Sequence, residues 1–198
     1  VGGTKNFKLD MIRELQPDLI IANKEENQKE GIEDLAREFT VYMTEVTDLK
    51  TANKAILDIG TLTGKEYEAQ DLILSIQEQK RLFSKETLPN NDVLYLIWRK
   101  PYMSVGGDTF ISEMLEEAGY INALKDKTRY PSLELEDIRN LNPSFIFLSS
   151  EPFPFKEKHI EELKEICPGS QVVLVDGEMF SWYGSRLLKA FPYFRVLE

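Results

Sequence analysis

A twelve-residue pattern that occurs twice constrains the fold of this chain more than any other feature of its sequence. Residues 9–20 read LDMIRELQPDLI and residues 135–146 read LEDIRNLNPSFI, with Leu, Ile, Arg, Leu, Pro and Ile identical in the same register. In both copies apolar residues recur at helical spacing before the proline, and an apolar run follows it. Each copy therefore predicts a short helix followed by a strand. The duplication predicts two similar α/β lobes with a cleft between them.

Helices and short apolar strands alternate after both copies. The first copy leads into predicted strands at 19–22 and 40–44, and the second into predicted strands at 145–148 and 172–175, with a helix between each pair. This alternation is typical of parallel sheets with helical crossovers. The strand that opens the second lobe begins at Asp92, about 40 residues before its copy, whereas eight residues precede the first copy. We therefore expect the first lobe to be N-terminally incomplete, with a strand-helix unit and any targeting signal ahead of it.

The segment at residues 65–85 contains neither glycine nor proline and carries apolar residues among charged ones. It predicts one helix, roughly 30 Å long at about 1.5 Å per residue, acting as a rigid connection between the lobes. The predicted organisation is an N-terminal lobe at 1–62, a connecting helix at 63–87 and a C-terminal lobe at 88–198, which begins with a turn at 89–91.

Composition excludes several classes of function. Lys and Arg total 24 against 34 Asp and Glu, which gives a net charge of −10 and argues against nucleic acid or an anionic membrane surface as a partner. No apolar run approaches the roughly 20 residues of a membrane span. The one cysteine, Cys167, is interpreted as a small, semi-buried residue that ends a helix, and the one histidine, His159, as part of a solvated helix face. Histidine-dependent triads and His/Cys zinc sites are thereby excluded, and we expect neither a metal site nor an enzyme.

Two glycine-containing motifs resemble phosphate loops but miss the required spacing. Residues 60–65 read GTLTGK, one residue short of a phosphate loop, and are interpreted as a turn between two helices, the first of which is capped by Asp48. Residues 106–109 read GGDT and are interpreted as a glycine turn with Asp108 as the N-cap of the following helix.

Large aromatic residues are concentrated in the loops that follow three predicted strands. Both tryptophans of the chain lie in these loops. Ligands of open α/β sheets bind at the carboxyl ends of the strands, where these loops lie, and large apolar groups in a loop suggest a recognition surface for a rigid, partly apolar ligand. The candidate ligand-binding residues of the second lobe are Trp98, Arg99, Tyr102, Met103, Phe153, Phe180, Trp182 and Tyr183.

Four stretches resemble the class III periplasmic binding proteins, which have a helical backbone and bind vitamin B12, ferric siderophores or haem. They are VGGTKN at 1–6 with the run that follows it, YLIWRKPYMSVGGDTFISEMLEEAG at 95–119, LEDIRNLNPSFIFLSSEPFPF at 135–155 and VDGEMFSWYGSRLL at 175–188. The resemblance implies an α/β fold of two Rossmann-like lobes with parallel sheets, joined by a single long backbone helix. It also implies a ligand, cobalamin or a ferric siderophore, that is delivered to the permease of an ABC importer.

The resemblance suggests roles for individual residues. The aromatic side chains would stack on the chelate, while Asn23, Lys24 and Arg99 would meet its polar or anionic rim. In the vitamin B12-binding members an acidic residue on each lobe docks onto permease arginines. The first such position falls on Asp10, and the second falls on Ser181, with Glu178 nearby as a substitute. We expect a periplasmic or other extracytoplasmic monomer, with a lipid anchor as one option, and no covalently bound cofactor.

Three alternatives remain at this stage. A bare ferric ion would need hard oxygen ligands, for which Glu151, Glu178, Tyr102 and Tyr183 are the candidates. An enzyme acting on a small molecule in the same cleft would need a residue of perturbed pKa with a partner, and no such pair is obvious. A cytoplasmic corrinoid or metal-chelate binder would have the same ligand but no importer.

Overall fold

The chain divides into two compact units, Val1–Val46 and Thr47–Glu198, in a computed structural model that describes residues 1–83 and 91–197. This division differs from the predicted lobe boundaries at residues 62 and 88, which remain a prediction. The predicted end of the connecting helix at 84–87 and the turn at Pro89 and Asn90 lie outside the described residues.

The first unit combines an antiparallel pair of short strands with a parallel pair. Its elements are β1 (Gly2–Gly3), β2 (Asn6–Phe7), α1 (Leu9–Leu15), β3 (Ile20–Asn23), α2 (Lys29–Leu35) and β4 (Val41–Thr44). Strands β3 and β4 pair in parallel, with Ile20 opposite Val41. Arg13 of α1 donates to Asp34 at 2.6 Å and to Glu38 at 2.8 Å, which ties α1 to the end of α2 and the turn after it.

The second unit is built around a parallel sheet. Its elements are α3 (Leu49–Thr63), α4 (Glu66–Leu82), β5 (Asp92–Leu96), β6 (Tyr102–Met103), α5 (Phe110–Glu117), β7 (Ile121–Asn122), β8 (Ser132–Leu133), α6 (Leu135–Leu141), β9 (Phe145–Ser149), α7 (Glu157–Ile166), β10 (Gln171–Val175), α8 (Glu178–Ser181), a 3-10 turn (Gly184–Arg186) and α9 (Leu187–Val196). The strand order β10-β9-β5-β7 is parallel throughout, and β6 and β8 form a separate antiparallel pair. The predicted α/β class with parallel sheets is confirmed.

Alternating residues of the central strands pack on opposite faces of this sheet. Leu94, Ile146 and Leu148 are fully buried in a cluster that includes residues of α6 and α7. Tyr95 and Phe147 are also fully buried, and their rings pack against aromatic residues near the C-terminus. Both faces of the sheet are therefore covered, as expected for a parallel sheet with helical crossovers.

The duplicated sequence pattern has the same local structure in both units. The two copies form α1 and α6, seven residues each, and both helices end at a left-handed residue before proline. That residue is Gln16 in the first copy, with φ 45°, and Asn142 in the second, with φ 41°. Ile12 and Ile138 are the buried residues of their helices. The prediction of a short helix, a stop and a strand is confirmed in both copies, since β3 and β9 follow.

The connecting segment forms the second arm of a helical hairpin. Helix α3 is capped at its start by Asp48, whose carboxylate accepts the backbone N–H of Thr51 at 2.6 Å, and at its end by Gly64 with φ 66°. Helix α4 then packs on α3 so closely that a Cβ on Gly60 would lie 2.5 Å from the Cβ of Ala69. The predicted N-cap and helix-to-helix turn are confirmed. Among the residues described, no helix combines the length and the apolar character that a membrane span requires.

Two further local predictions have different outcomes. Cys167 lies at the end of α7, as predicted, and is buried rather than semi-buried. The prediction of Asp108 as an N-cap is wrong, because the cap of α5 is Thr109, whose hydroxyl accepts the backbone N–H of Ser112 at 3.3 Å. Asp108 instead accepts the backbone N–H of Arg129 at 2.5 Å, which holds the loop before β8.

Candidate functional site

Three loops of the second unit meet at the carboxyl edge of its sheet, because β5, β9 and β10 are parallel neighbours. Hydrogen bonds join each loop to the next. The N–H of Phe153 donates to the carbonyl of Ile97 at 3.3 Å, and the N–H of Ser150 donates to the carbonyl of Val175 at 3.0 Å. The N–H of Gly177 donates to the Ser150 hydroxyl at 2.9 Å. The aromatic residues on these loops are therefore held by one connected framework.

Trp182 is the most exposed aromatic residue of this framework, and its position is fixed on two sides. Its ring nitrogen donates to Oε1 of Glu151 at 2.7 Å, and Ser181 donates to the same oxygen at 2.8 Å. The guanidinium carbon of Arg186 lies 5.4 Å from the ring centroid, and Arg186 forms an ion pair with Glu178. The side chain nevertheless remains 49% exposed. A large apolar group that is anchored but exposed is suited to stacking against a ligand.

The loop that carries Glu151 is itself anchored in the core. The hydroxyl of Tyr95, which is fully buried, bonds the Ser149 hydroxyl at 3.1 Å, and Ser149 donates to the backbone carbonyl of Glu151 at 2.6 Å. Burial raises the pKa of Tyr95 well above its usual value, so the phenol stays protonated. Gly177 packs against this turn, where a Cβ would lie 2.3 Å from the Ser149 oxygen. A residue without a side chain is required at that point.

Trp98 forms a second exposed aromatic group on the loop after β5. Its ring packs edge-on against Phe153 at 5.8 Å, and Phe153 packs against Phe155 at 4.7 Å. The backbone of Trp98 pairs with Met103, whose N–H donates to the Trp98 carbonyl at 3.1 Å. Trp98 is 40% exposed, and Phe153 and Met103 are half-buried. The structure therefore brings Trp98, Met103 and Phe153 together, as the sequence hypothesis requires.

Arg99 and Tyr102 make a different set of contacts from the predicted one. Arg99 donates two nitrogens to the carboxylate of Glu162, at 2.7 and 3.1 Å, and Tyr102 donates to the same carboxylate at 2.8 Å. Burial, followed by the hydrogen bond to Glu162, raises the pKa of Tyr102 to about 12. Burial opposes ionisation of Glu162, but the bonds from Arg99 and Tyr102 outweigh it and lower its pKa. In this conformation Arg99 is committed to α7 rather than to an anionic ligand.

The prediction that Phe180 forms part of an exposed wall is wrong for this structure. Phe180 is fully buried, with ring centroids 5.3 Å from Tyr95 and 4.8 Å from Phe194. It is a core residue because the loop after β10 turns into the short helix α8. Tyr102 is also buried, and Tyr183 is half-buried against Phe110 at 5.7 Å. Of the predicted aromatic residues, Trp98 and Trp182 are the most accessible.

The candidate polar residues of the first unit have local partners. The side-chain oxygen of Asn23 accepts the backbone N–H groups of Glu25 and Glu26 at 2.9 and 3.1 Å, which shapes the turn after β3. Lys24 forms an ion pair with Glu45, although both side chains are more than half exposed. The role of Asn23 and Lys24 in ligand binding stays a prediction.

The two candidate docking carboxylates differ in their surroundings. The side chain of Asp10 is 96% exposed and lies 3.7 Å from Arg13. Glu178 is one-third exposed and is paired with Arg186 beside Trp182. Asp10 is thus accessible to solvent, whereas Glu178 belongs to the surroundings of Trp182. The docking role of both residues stays a prediction.

His159 is buried, which corrects the interpretation of a solvated residue. Its Nδ1 accepts the backbone N–H of Lys156 at 2.9 Å, and its ring packs against Phe153 and Phe155 at 5.5 Å. Burial, together with the charges of Arg99 and Lys158, lowers its pKa. The neutral imidazole therefore holds the first turn of α7 in place, and it packs against Phe153, which supports the ring of Trp98.

Acidification is expected to destabilise the protein through His159. The unfolded imidazole is half-protonated near about pH 6.5, whereas the folded one has a lowered pKa. Between these values the unfolded state binds more protons, so the free energy of unfolding falls as the pH decreases from about 7.5 through the unfolded pKa towards the lowered pKa of the folded imidazole. Urea titrations of the protein and of H159Q check this, because glutamine can still accept the Lys156 N–H but does not titrate. Equal pH dependence in both proteins would exclude His159 as the cause.

The candidate set for a bare ferric ion is not assembled. Tyr102 donates to Glu162, Glu178 pairs with Arg186, and Glu151 accepts from Trp182. Within residues 1–83 and 91–197, no group of three His, Cys, Asp or Glu side chains has the geometry to hold a metal ion.

Sequence reasoning missed three residues that organise the site. Glu162 is interpreted only as part of the solvated face around His159, Ser149 only as the start of a loop, and Arg186 receives no role. Arg186 follows Trp182 by four residues, a spacing that can place a cation over a ring and that could have served as a signal. Glu162 lies 63 residues from its partner Arg99, so no local pattern could reveal that pair.

Comparisons with known proteins agree on one family. The family model described as "Periplasmic binding protein" matches residues 1–166. A curated relative, an uncharacterized ABC transporter substrate-binding lipoprotein, YvrC of Bacillus subtilis, is 27% identical over 164 residues, which cover 73% of this chain and 49% of the relative. The chain thus spans about half the length of that relative.

Solved structures show the same fold at low sequence identity. The periplasmic vitamin B12-binding protein BtuF of Vibrio cholerae is similar with a TM-score of 0.79 at 19% identity, over 98% of this chain and 80% of that one. A periplasmic heme-binding protein of Pseudomonas aeruginosa gives 0.78 at 16%, over 98% and 78%. A possible iron-binding (periplasmic solute-binding) protein of Staphylococcus epidermidis gives 0.74 at 19%, over 95% and 78%.

Proposed function

Because the chain belongs to the periplasmic binding protein family, we propose that it is the substrate-binding component of an ABC importer, capturing cobalamin or a ferric siderophore for delivery to the permease. The observation that carries the proposal is Trp182, half exposed at the carboxyl edge of the sheet and held by Glu151 and Arg186. A fixed aromatic face loses little conformational freedom on binding, which favours a large, rigid ligand.

Further support comes from the chemistry of the same edge. Trp98 supplies a second exposed aromatic surface, packed on Phe153. The chelator itself satisfies the metal in a siderophore or a corrinoid, so such a ligand needs stacking surfaces rather than protein ligands to the metal. The partly buried pair of Arg99 and Glu162 stiffens the loop that carries Trp98. These features favour a metal chelate over a bare ion.

The relatives suggest the range of ligands to test and the location. The names of the similar structures refer to vitamin B12, to heme and to iron. Haem therefore joins cobalamin and the ferric siderophores as a candidate for this chain. We propose an extracytoplasmic location, since the curated relative is a lipoprotein of an ABC transporter. Asp10, with its exposed carboxylate, is our candidate for a contact with permease arginines.

The hypothesis of an enzyme is not favoured, because the family is one of binding proteins. The alternative hypothesis of a cytoplasmic chelate binder predicts the same ligand, but it predicts no permease partner. Binding of the purified protein to its permease in membranes, weakened by D10N, would separate these two functions. Retention of full binding by D10N would remove Asp10 from the interface.

A ligand titration tests the proposal. The full-length protein is titrated with cobalamin, haem and ferric siderophores of the hydroxamate and catecholate classes while tryptophan fluorescence is followed. We expect saturable quenching by at least one of them, because Trp98 and Trp182, the tryptophans of the chain, both lie at the candidate site. Absence of saturable quenching by all of them, with no metal or chromophore in the purified protein, would contradict the proposal.

A further inference from the structure

Trp182 presents one face to solvent. Arg186 lies over the ring at 5.4 Å, and Glu151 accepts the hydrogen of the ring nitrogen at 2.7 Å. One face and one edge of the indole are therefore occupied by the protein, while 49% of the residue remains exposed. A flat ligand group can stack only against the uncovered face, beside the carboxylate of Glu151.

The charges around this face do not balance. Arg186 forms an ion pair with Glu178, and Arg99, on the loop after β5, forms one with Glu162. The carboxylate of Glu151 accepts hydrogen bonds from two neutral donors, Ser181 and Trp182. Among the described residues, no cation forms an ion pair with it. One uncompensated negative charge therefore borders the stacking face.

We propose that the exposed face of Trp182 selects a neutral or positively charged flat ligand group over an anionic one, with Glu151 as the specificity-determining residue. This inference rests on the proposed binding function and defines its ligand more narrowly. A group stacked on the indole lies within several ångströms of the Glu151 carboxylate, well inside the Debye length of about 8 Å at physiological ionic strength. The interaction therefore persists in ordinary buffers and changes sign with the charge of the ligand.

Two zinc porphyrins of the same core test the proposal, one with four N-methylpyridinium groups and one with four sulfonatophenyl groups. Binding to the full-length protein is followed by the absorbance of the porphyrin at about 0.15 M salt, where long-range attraction is screened. We expect the cationic porphyrin to bind at least about five times more tightly than the anionic one. W182A should weaken binding of the cationic porphyrin, which locates it at the proposed face.

Matched variants separate the effect of Glu151 from that of the net charge. E151Q retains an acceptor for the Trp182 N–H and raises the net charge by one unit. E165Q raises it equally, but Glu165 lies near the C-terminal end of α7, which runs away from the carboxyl edge of the sheet. We expect E151Q to reduce the cationic preference at least about threefold and E165Q to leave it within about 1.5-fold. E178Q, which releases Arg186, should strengthen binding of the anionic porphyrin.

The outcomes distinguish this inference from the function on which it rests. The anionic porphyrin could bind as tightly as the cationic one, or more tightly, and lose this binding in W182A. That result would overturn the charge selectivity but leave the chelate-binding function intact. Equal effects of E151Q and E165Q would also overturn it, because net charge alone would then explain the preference. Failure of both porphyrins and of every chelate in the earlier titration would overturn the selectivity and the binding function together.

Discussion

Replacing Phe180 by alanine is expected to lower the free energy of unfolding by about 3–5 kcal/mol, the range for removing a buried phenylalanine. Phe180 is fully buried, and its ring contacts Tyr95, Phe147 and Phe194 at centroid distances of 5.3, 6.2 and 4.8 Å. The cavity would open under the sheet face that supports the loops. Denaturant unfolding followed by circular dichroism measures the change, and the thermal midpoint should fall by roughly 10 °C.

The matched control is W182A, two residues later in the chain. Trp182 is half exposed, so we expect this variant to lower the free energy of unfolding by less than about 1.5 kcal/mol. The pair of variants separates a core residue from a surface residue in one loop. If F180A kept its free energy of unfolding but lost chelate binding, Phe180 would be a ligand-contacting residue and not a core residue.

Periodic patterns in the sequence predict the framework of the fold well. The helices α1 and α6 and the strands after them follow from apolar spacing and a proline, and both copies of the pattern form these elements. The cap at Asp48 and the turn at Gly64 also follow from local chemistry. Capping and periodicity depend on residues within a few positions of each other, which is why a single sequence reveals them.

The candidate site is less predictable because its details depend on residues distant in the sequence. The loop after β10 places Phe180 inside and Trp182 outside, since the four-residue helix α8 rotates successive side chains to different faces. His159 stands among charged residues in the sequence, yet its ring is buried against Phe153 and Phe155. Sequence locates the aromatic loops, whereas packing decides which of their residues remain available to a ligand.

Rigidity and exposure are combined at one residue of these loops. Trp182 donates to Glu151, whose loop is fixed by Ser149 and Tyr95. A chain of hydrogen bonds therefore connects the exposed ring to the core. Long polar side chains that were candidates for ligand contacts, such as Arg99, are used instead to hold neighbouring elements together. We therefore expect the energy of ligand binding to depend more on the aromatic faces than on the charged residues.

Replacing Trp182 by alanine is expected to raise the Kd of the chelate that quenches tryptophan fluorescence by a factor of roughly 10 to 100. This range corresponds to about 1.4–2.7 kcal/mol, which is typical of an aromatic hot spot with a fixed orientation. The alanine removes the stacking face but leaves Glu151 and the Arg186–Glu178 pair in place. Because the variant lacks a tryptophan reporter at the candidate site, binding is measured by calorimetry or by the absorbance of the ligand.

Two comparisons define what this loss of affinity means. Y67A removes an aromatic side chain that is 86% exposed on α4, outside the three loops, and should leave the Kd within about twofold. W182F retains a flat ring but cannot donate to Glu151, so its affinity should fall between those of the unchanged protein and W182A. Equal loss in W182F and W182A would show that the orientation imposed by Glu151 matters more than the stacking area. Equal Kd values for W182A and Y67A would place the ligand away from Trp182.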